Sequence, residues 1–403
     1  MEFNDIENYL AEHGEEVSGE GFPAFVKKMK LRLSVPLIHV AGSNGKSETV
    51  FYLARMYGTS YKVGALFNSY LLSFREAIEI NGESIPEDKA TAYFNEAYPL
   101  IEKFHLTTFE VLVYLAYRYF SEEKVDLAIV ECGMGGTFDP TNIEGLSTEL
   151  SIFTNFALEH TEYLGTTLSE IAFSSSGIIK KEVPVLVGKM DDGALSALTE
   201  VAVKNKTGLN YFGVLYLPHL VNGNEFHFDY HPFKDLVIDG FASYNVVNAC
   251  LAVEATKLLQ NRFPLSEEKM REGLKAPALK GRLERHGDVV LDSASNPEAI
   301  DALRKCFLTA GKGKPVHVLF AAKTEENISV MIPYLADEAG EVALTTFDHP
   351  RARDEFGYAL YTEDHKYYDN PLMAIMSLQM NHPGETVLAT GCREFIAYLS
   401  QRL

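Results

Sequence analysis

The residues best suited to chemistry begin at Leu37. Leu37-Ile38-His39-Val40-Ala41 is a short apolar run that reads as a buried strand. It breaks at Gly42-Ser43-Asn44-Gly45-Lys46-Ser47-Glu48-Thr49 and enters the helical pattern of Val50, Phe51, Leu53 and Ala54. Strand, glycine turn, Lys-Ser and helix together make a phosphate cradle. Glycines let backbone N–H groups close around phosphate oxygens, and the helix N-terminus adds partial positive charge. Lys46 is placed to reach the terminal phosphates, and the Ser47 hydroxyl to face Mg²⁺. Ser69, Glu131 and His160 each follow or end another apolar run. A hydroxyl, a carboxylate and an imidazole beside a triphosphate loop can gather a Mg²⁺ ion. Spacing alone leaves two other roles open: Glu131 as a helix cap and His160 as a hydrogen-bonded core residue.

The elements that must position these groups alternate between strand and helix. Two short helices are expected within residues 1–30, the second ending in Lys27, Lys28 and Lys30. A strand over 62–67 leads into an irregular stretch, 68–76. Ser84-Ile85-Pro86-Glu87 reads as a capping box opening a helix towards Lys103, and Thr107-Thr108-Phe109-Glu110 opens another to Phe120. Strands follow at 125–131, 150–154 and 184–187, with a second capping box at Thr167–Glu170. Between about 207 and 240, short aromatic segments and the hairpin signal Val221-Asn222-Gly223-Asn224 suggest a small antiparallel insertion. A helix over 244–259 and a glycine-marked connector, 280–284, come next. Beyond them lie strands at 289–292, 316–320, 341–346 and 386–390, with helices at 297–307 and 325–338 and at the end of the chain. Such alternation predicts an α/β chain: a doubly wound, mostly parallel P-loop sheet with the small insertion, then a smaller Rossmann-like α/β domain. The expected division is 1–284 and 285–403. Ligands should bind at the carboxyl ends of the strands.

Composition narrows the function. At 403 residues the chain can build two or three cores. A net charge of −20 argues against nucleic acid as a general partner. Anionic substrates must therefore be held by local devices. Cys132, Cys250, Cys306 and Cys392 are scattered, which suits reduced thiols in the cytoplasm. No signal-type apolar core opens the chain, and no run reaches the roughly 20 residues that span a bilayer.

The phosphate loop resembles that of the folylpolyglutamate synthase/dihydrofolate synthase family, within the Mur ligase superfamily. Phe67-Asn68-Ser69-Tyr70-Leu71-Leu72-Ser73-Phe74 stands where that family has a Ser-Pro-His loop, and Thr108-Phe109-Glu110 matches its Thr-x-Phe-Glu helix. Glu131-Cys132-Gly133-Met134-Gly135-Gly136-Thr137-Phe138-Asp139-Pro140-Thr141-Asn142 is similar to its Glu-x-Gly-x-Gly-Gly segment, and Glu159-His160 to its Asp-His. Asn248-Ala249, Gly281-Arg282-Leu283-Glu284, Asp292 to Pro297 and Pro350-Arg351-Ala352 carry the likeness onward.

The resemblance implies an ATP-dependent ligase joining L-glutamate to a folate or dihydropteroate carboxylate through an acyl phosphate, with Mg²⁺. It implies that Ser43, Asn44, Gly45, Lys46, Ser47 and Glu48 hold the nucleotide phosphates. Asn248, Arg282 and Asp292 would contact the nucleotide, and Ser47, Ser69, Glu131 and His160 the metal. Thr108, Phe109, Glu110, Asp139, Thr141 and Asn142 would wall the pterin pocket. Lys46, Glu131 and His160 would be the catalytic set. ATP would lie between the domains, whose closure completes the site. A cytoplasmic monomer acting on small molecules, without membrane or nucleic acid, is expected.

Departures from the family are as informative. Its Ser-Pro-His becomes Ser69-Tyr70-Leu71, its Asp-Gly-Ala-His-Asn-Pro becomes Asp292-Ser293-Ala294-Ser295-Asn296-Pro297, and Thr137 replaces an arginine. Glu48 takes the place of a small residue. The family's Arg-Glu-Lys-Ala-Gly reads Phe173-Ser174-Ser175-Ser176-Gly177, so a lysine that becomes carbamylated and supports Mg²⁺ is Ser175. Two alternatives follow: a nucleotide- or folate-binding paralogue with weak turnover, or a ligase for another amino acid and carboxylate.

Overall fold

The computed structural model describes residues 1–12, 21–212, 216–222, 225–240, 242–277, 279–307, 311 and 313–403. They form two compact units: Met1–Leu217 with Tyr230–Leu236 and Val247–Ala276, and Pro218–Asp229 with Val237–Val246 and Pro277–Leu403.

The first unit is built on eight strands: β1 (Pro36–Ala41), β2 (Val63–Leu66), β3 (Ile78–Ile80), β4 (Glu83–Ser84), β5 (Leu127–Glu131), β6 (Ser147–Phe153), β7 (Val185–Val187) and β8 (Leu209–Tyr211). Their order is β4-β3-β2-β5-β1-β6-β7-β8. From β2 to β8 every pairing is parallel, so the carboxyl ends of β2, β5, β1 and β6 open side by side. β3 and β4 add an antiparallel edge, and the capping box expected at Ser84 is not formed. Ser84 is itself in that edge strand, and the following helix, Glu87–Phe104, starts from Pro86 without a side-chain cap. The other two boxes form in full, Thr107 with Glu110 and Thr167 with Glu170. Central strands bury both faces, as parallel sheets require. The helix Thr108–Glu123 lies in one core, where the Tyr114 ring meets Phe25 edge-on at 5.3 Å.

β9 (Tyr216–Asn222), β10 (Glu225–Tyr230) and β11 (Phe233–Asp239) form a separate sheet of order β11-β10-β9. This matches the location of the expected insertion, although its Gly223-Asn224 turn lies outside the described residues. The second unit carries β12 (Arg282–His286), β13 (Val289–Asp292), β14 (Val316–Phe320), β15 (Val342–Thr345), β16 (Tyr367–Tyr368) and β17 (Thr386–Thr390), ordered β12-β13-β17-β14-β15-β16. All pairings are parallel except β12 with β13. The segment read as a connector is thus a strand: Arg282 pairs with Asp292, and Leu283 adopts φ 54°. Leu283 is its one apolar residue among charged and polar neighbours on a half-buried edge, which masks the signal of a strand. The helix expected over 325–338 is shorter, Ile328–Ala336.

Candidate active site

The site starts where β1 ends. In register, Val40 lies beside Glu131 of β5, and Ala41 beside Phe153 of β6. The turn after β1 therefore sits between the ends of two neighbouring strands. Gly42 takes φ 129°, and a Cβ there would come within 2.3 Å of Thr154 Oγ1. Gly45 takes the left-handed φ 83° just before the helix Lys46–Gly58, and its Cβ would strike Asn248 Oδ1 at 2.4 Å. Only glycine meets both demands at these two points.

Asn155, just past β6, fixes the turn. Its Oδ1 accepts from the Asn44 N–H at 3.0 Å, while its Nδ2 donates to the Asn44 carbonyl at 3.1 Å. The Ser43 N–H donates to the Asn155 carbonyl at 2.9 Å, and Ser43 Oγ accepts from the Ala157 N–H at 3.0 Å. Lys46 is half-buried, and its Nζ donates to the Ser43 carbonyl at 2.9 Å. The amine thus curls over the nest that would receive phosphate.

Glu131 closes the site from β5. Only 3% exposed, it accepts from Ser47 Oγ at 3.0 Å and from the Asn68 N–H at 3.2 Å. Burial raises its pKa above the ordinary carboxylate value; nearby Lys46 and the two donors oppose that rise, and Glu48 adds to it. Ser69 follows Asn68 and is half-buried, whereas His160 is exposed at φ 49°, preceding the short helix Thr161–Leu164. Glu48 is buried on the first turn of the phosphate-loop helix.

A second polar cluster follows β5. Asp139 is buried, accepting from the N–H groups of Gly133 (2.8 Å), Met134 (2.9 Å) and Thr141 (3.0 Å), and from the Thr141 hydroxyl. Burial raises its pKa against these donors. His39 Nε2 meets Thr141 Oγ1 at 2.8 Å; burial, with a smaller contribution from Lys180, pushes the imidazole down to about 3. Asn142 Oδ1 accepts from Lys180 Nζ at 2.6 Å, and its Nδ2 donates to Gly136 O at 2.9 Å. Phe109 packs against Gly133, where a Cβ would lie 2.5 Å from its ring. Thr108 and Glu110 are tied down locally: Thr108 Oγ1 donates to Leu10 O at 2.8 Å, and Glu110 accepts from the Thr107 N–H at 2.8 Å. Ser175 is 2% exposed, and its hydroxyl donates to the Ile171 carbonyl at 2.8 Å, one helical turn back.

In the second unit, Asp292 ends β13 and is satisfied locally. It accepts from the N–H groups of Ala294 at 3.0 Å and Leu283 at 3.1 Å. Arg282 is its partner across the strands. Asn155, Asn68 and Lys180 were absent from the residues singled out in the sequence. The strand-end rule that flagged Glu131 also reaches Asn155, because Thr154-Asn155 directly follows β6; Lys180 offers no comparable signal.

A parallel sheet with a lysine–serine phosphate loop and a buried carboxylate at the next strand end defines a P-loop scaffold, and residues 40–256 match the Mur ligase middle domain family. The chain is 30% identical over 410 residues to a dihydrofolate synthase/folylpolyglutamate synthase of Bacillus subtilis (strain 168), covering 94% of each. It is 29% identical to a folylpolyglutamate synthase of Lacticaseibacillus casei, covering 91% of this chain and 89% of that one. The crystal structure of a folylpolyglutamate synthase from Thermotoga maritima superposes with a TM-score of 0.84 at 25% identity, covering 99% of this chain and 96% of the other. The chain belongs to the folylpolyglutamate synthase/dihydrofolate synthase family of ATP-dependent ligases.

Proposed function

We propose that this enzyme joins L-glutamate to the carboxylate of a folate or dihydropteroate, with ATP as phosphoryl donor. The observation that carries this reading is the Ser47–Glu131 pair set beside the Lys46 nest, a donor set of phosphate ligand and hard oxygen ligands in one place. A carboxylate oxygen of the acceptor attacks the γ-phosphorus, and the bond to ADP breaks. The glutamate amine then attacks the acyl carbon and loses a proton as inorganic phosphate leaves with the C–O electron pair. Such chemistry rests mainly on positioning and charge neutralisation.

The backbone N–H groups of Gly45 and Lys46 cradle the phosphates, while those of Ser43 and Asn44 hold the turn in shape through Asn155; Lys46 offsets the phosphate charge, and Asn248 buttresses the turn at Gly45. Mg²⁺, when bound, neutralises charge on the phosphate oxygens. Ser47 and Glu131 fit it, being a hydroxyl and a buried carboxylate already in contact, and Ser69 and His160 are proposed as further ligands. Phe109 and the turn from Asp139 to Asn142 form the acceptor wall. Thr108 and Glu110 position Phe109 by fixing the start of its helix. Arg282 and Asp292 are proposed nucleotide contacts, checked by the KM for ATP of Arg282→Ala. Cytoplasmic, monomeric action on small molecules completes the reading, tested by fractionation and by mass in solution.

Ser175 favours a second reading, a nucleotide-binding paralogue of weak turnover, because its hydroxyl is committed to Ile171 and supplies no carboxylate. ADP release with ATP, Mg²⁺, labelled glutamate and a panel of folates and pteroates decides between them. Glutamate incorporation into any of these acceptors supports the ligase; ATP binding without incorporation supports the paralogue.

A further inference from the structure

The second unit holds a group of side chains that nucleotide and acceptor chemistry does not use. His317, His382 and Glu385 place one ligand-type atom each within 4.8 Å of one another. His317 is the second residue of β14, Glu385 directly precedes β17, and His382 follows the helix Pro371–Asn381. All therefore sit at the amino ends of these parallel strands, whereas Asp292 lies at the carboxyl end of β13. Among the described residues this is the one cluster of three or more such groups with this spacing.

Three details separate it from an ordinary surface ion pair. The imidazoles of His317 and His382 stack at 3.6 Å with 13° between planes. His317 is 2% exposed, with Nε2 at 2.6 Å from Glu385 and Nδ1 buried without a hydrogen-bond partner among the described residues. Gly340 makes the pocket possible, since a Cβ there would lie 2.7 Å from His317 Cε1.

We propose that His317, His382 and Glu385 bind a divalent transition-metal ion of the Zn²⁺ class, which clips β14, β17 and the helix Pro371–Asn381 together. Two imidazoles and a carboxylate are a recurrent Zn²⁺ donor set. Bonds of about 2.0–2.1 Å in a tetrahedron put donors roughly 3.4 Å apart, so ligand atoms now within 4.8 Å of one another must draw in and the stacked rings must turn until their lone pairs converge on the ion. An ion on His317 Nε2 takes the place of the proton facing Glu385, and the ring, bound as neutral imidazole, carries its one proton on Nδ1. His382, whose Nε2 is 2.7 Å from Glu341, can leave that carboxylate as an outer partner. The His382 and Glu385 side chains are 29% and 27% exposed, so an ion can enter without unfolding. At the amino ends of β14 and β17, opposite the carboxyl end of β13 that carries Asp292, the ion would act as a staple rather than a catalyst.

The test is titration of the metal-stripped full chain with ZnCl₂ in excess Mg²⁺, read by calorimetry and by melting temperature. The parent should bind one equivalent and melt higher with Zn²⁺ than with EDTA. His382→Ala and Glu385→Gln should each lose that equivalent and the shift, while their melting in EDTA shows that they fold. Co²⁺ should give d–d bands of a nitrogen–oxygen site and no thiolate charge-transfer band. Absence of binding by the parent, equal binding by a folded variant, or a thiolate band from the buried cysteines would each overturn the proposal.

Discussion

Glu131→Gln separates the two roles a buried carboxylate can have. Its carboxyl is 3% exposed, and burial outweighs Ser47, Asn68 and Lys46, so its pKa stands above the ordinary 4.5. The folded state therefore holds this proton more tightly than the unfolded chain. The stability this contributes is complete below 4.5 and is lost as pH rises through the folded value. Each unit of upward shift costs about 1.4 kcal/mol at neutral pH. Glutamine keeps the shape without the charge: its Oε1 can accept from the Asn68 N–H, while its Nε2 donates to Ser47 Oγ, which then accepts. The ligand-free variant should therefore melt higher than the parent at neutral pH. That gain should vanish towards pH 4. Activity should move the other way. Loss of an outer partner of a metal ligand costs about 10–100-fold, so loss of a ligand itself should exceed roughly 100-fold in ADP release. Melting curves between pH 4 and 8 and Mg²⁺ titrations of turnover read both effects. A variant that melts lower at neutral pH and keeps its Mg²⁺ dependence would refute the reasoning and make Glu131 a structural residue.

Other expected outcomes follow from the same geometry. Lys46→Ala should keep the fold and lose nearly all ATP-dependent turnover; unchanged ATP affinity would remove the phosphate-loop role. Gly45→Ala forces a Cβ to 2.4 Å from Asn248 Oδ1 at φ 83°, so ATP affinity should fall by at least tenfold for a cost on the order of 1–2 kcal/mol; parent-like ATP binding would show that the turn relaxes freely. Ser175→Lys with bicarbonate should raise turnover or lower the Mg²⁺ requirement, and no response in an otherwise active enzyme would show that Ser175 does not mark the missing metal support.

Fold and phosphate loop were legible for a physical reason: buried parallel strands are continuous apolar runs, and a glycine turn before Lys-Ser leaves few structural alternatives. The edge strands β3, β4 and β12 were hidden because short, charged, half-buried segments carry no clean alternation. Ser84 misled because the capping pattern reads side chains, whereas an edge strand is chosen by neighbours distant in sequence. Glu131 and Ser47 could be named from strand-end positions, and the structure brings them together. Thr108 and Glu110 carry the family pattern, yet their polar atoms are engaged in local bonds. The Lys180–Asn142 contact spans 38 residues, a separation that no local motif encodes.

The Asn155 carboxamide gripping both sides of the Asn44 peptide has a consequence for how the nucleotide meets the enzyme. The loop is already in its receiving shape, so its ordering entropy is spent during folding rather than at the encounter. Amide hydrogen exchange at Asn44 should therefore be slow before any ligand arrives and change little afterwards. The two bonds also fasten the loop to the strand whose extension carries His160. Rigidity of the nest and placement of that imidazole are thus inherited from one side chain, and whatever loosens Asn155 should blur both at once.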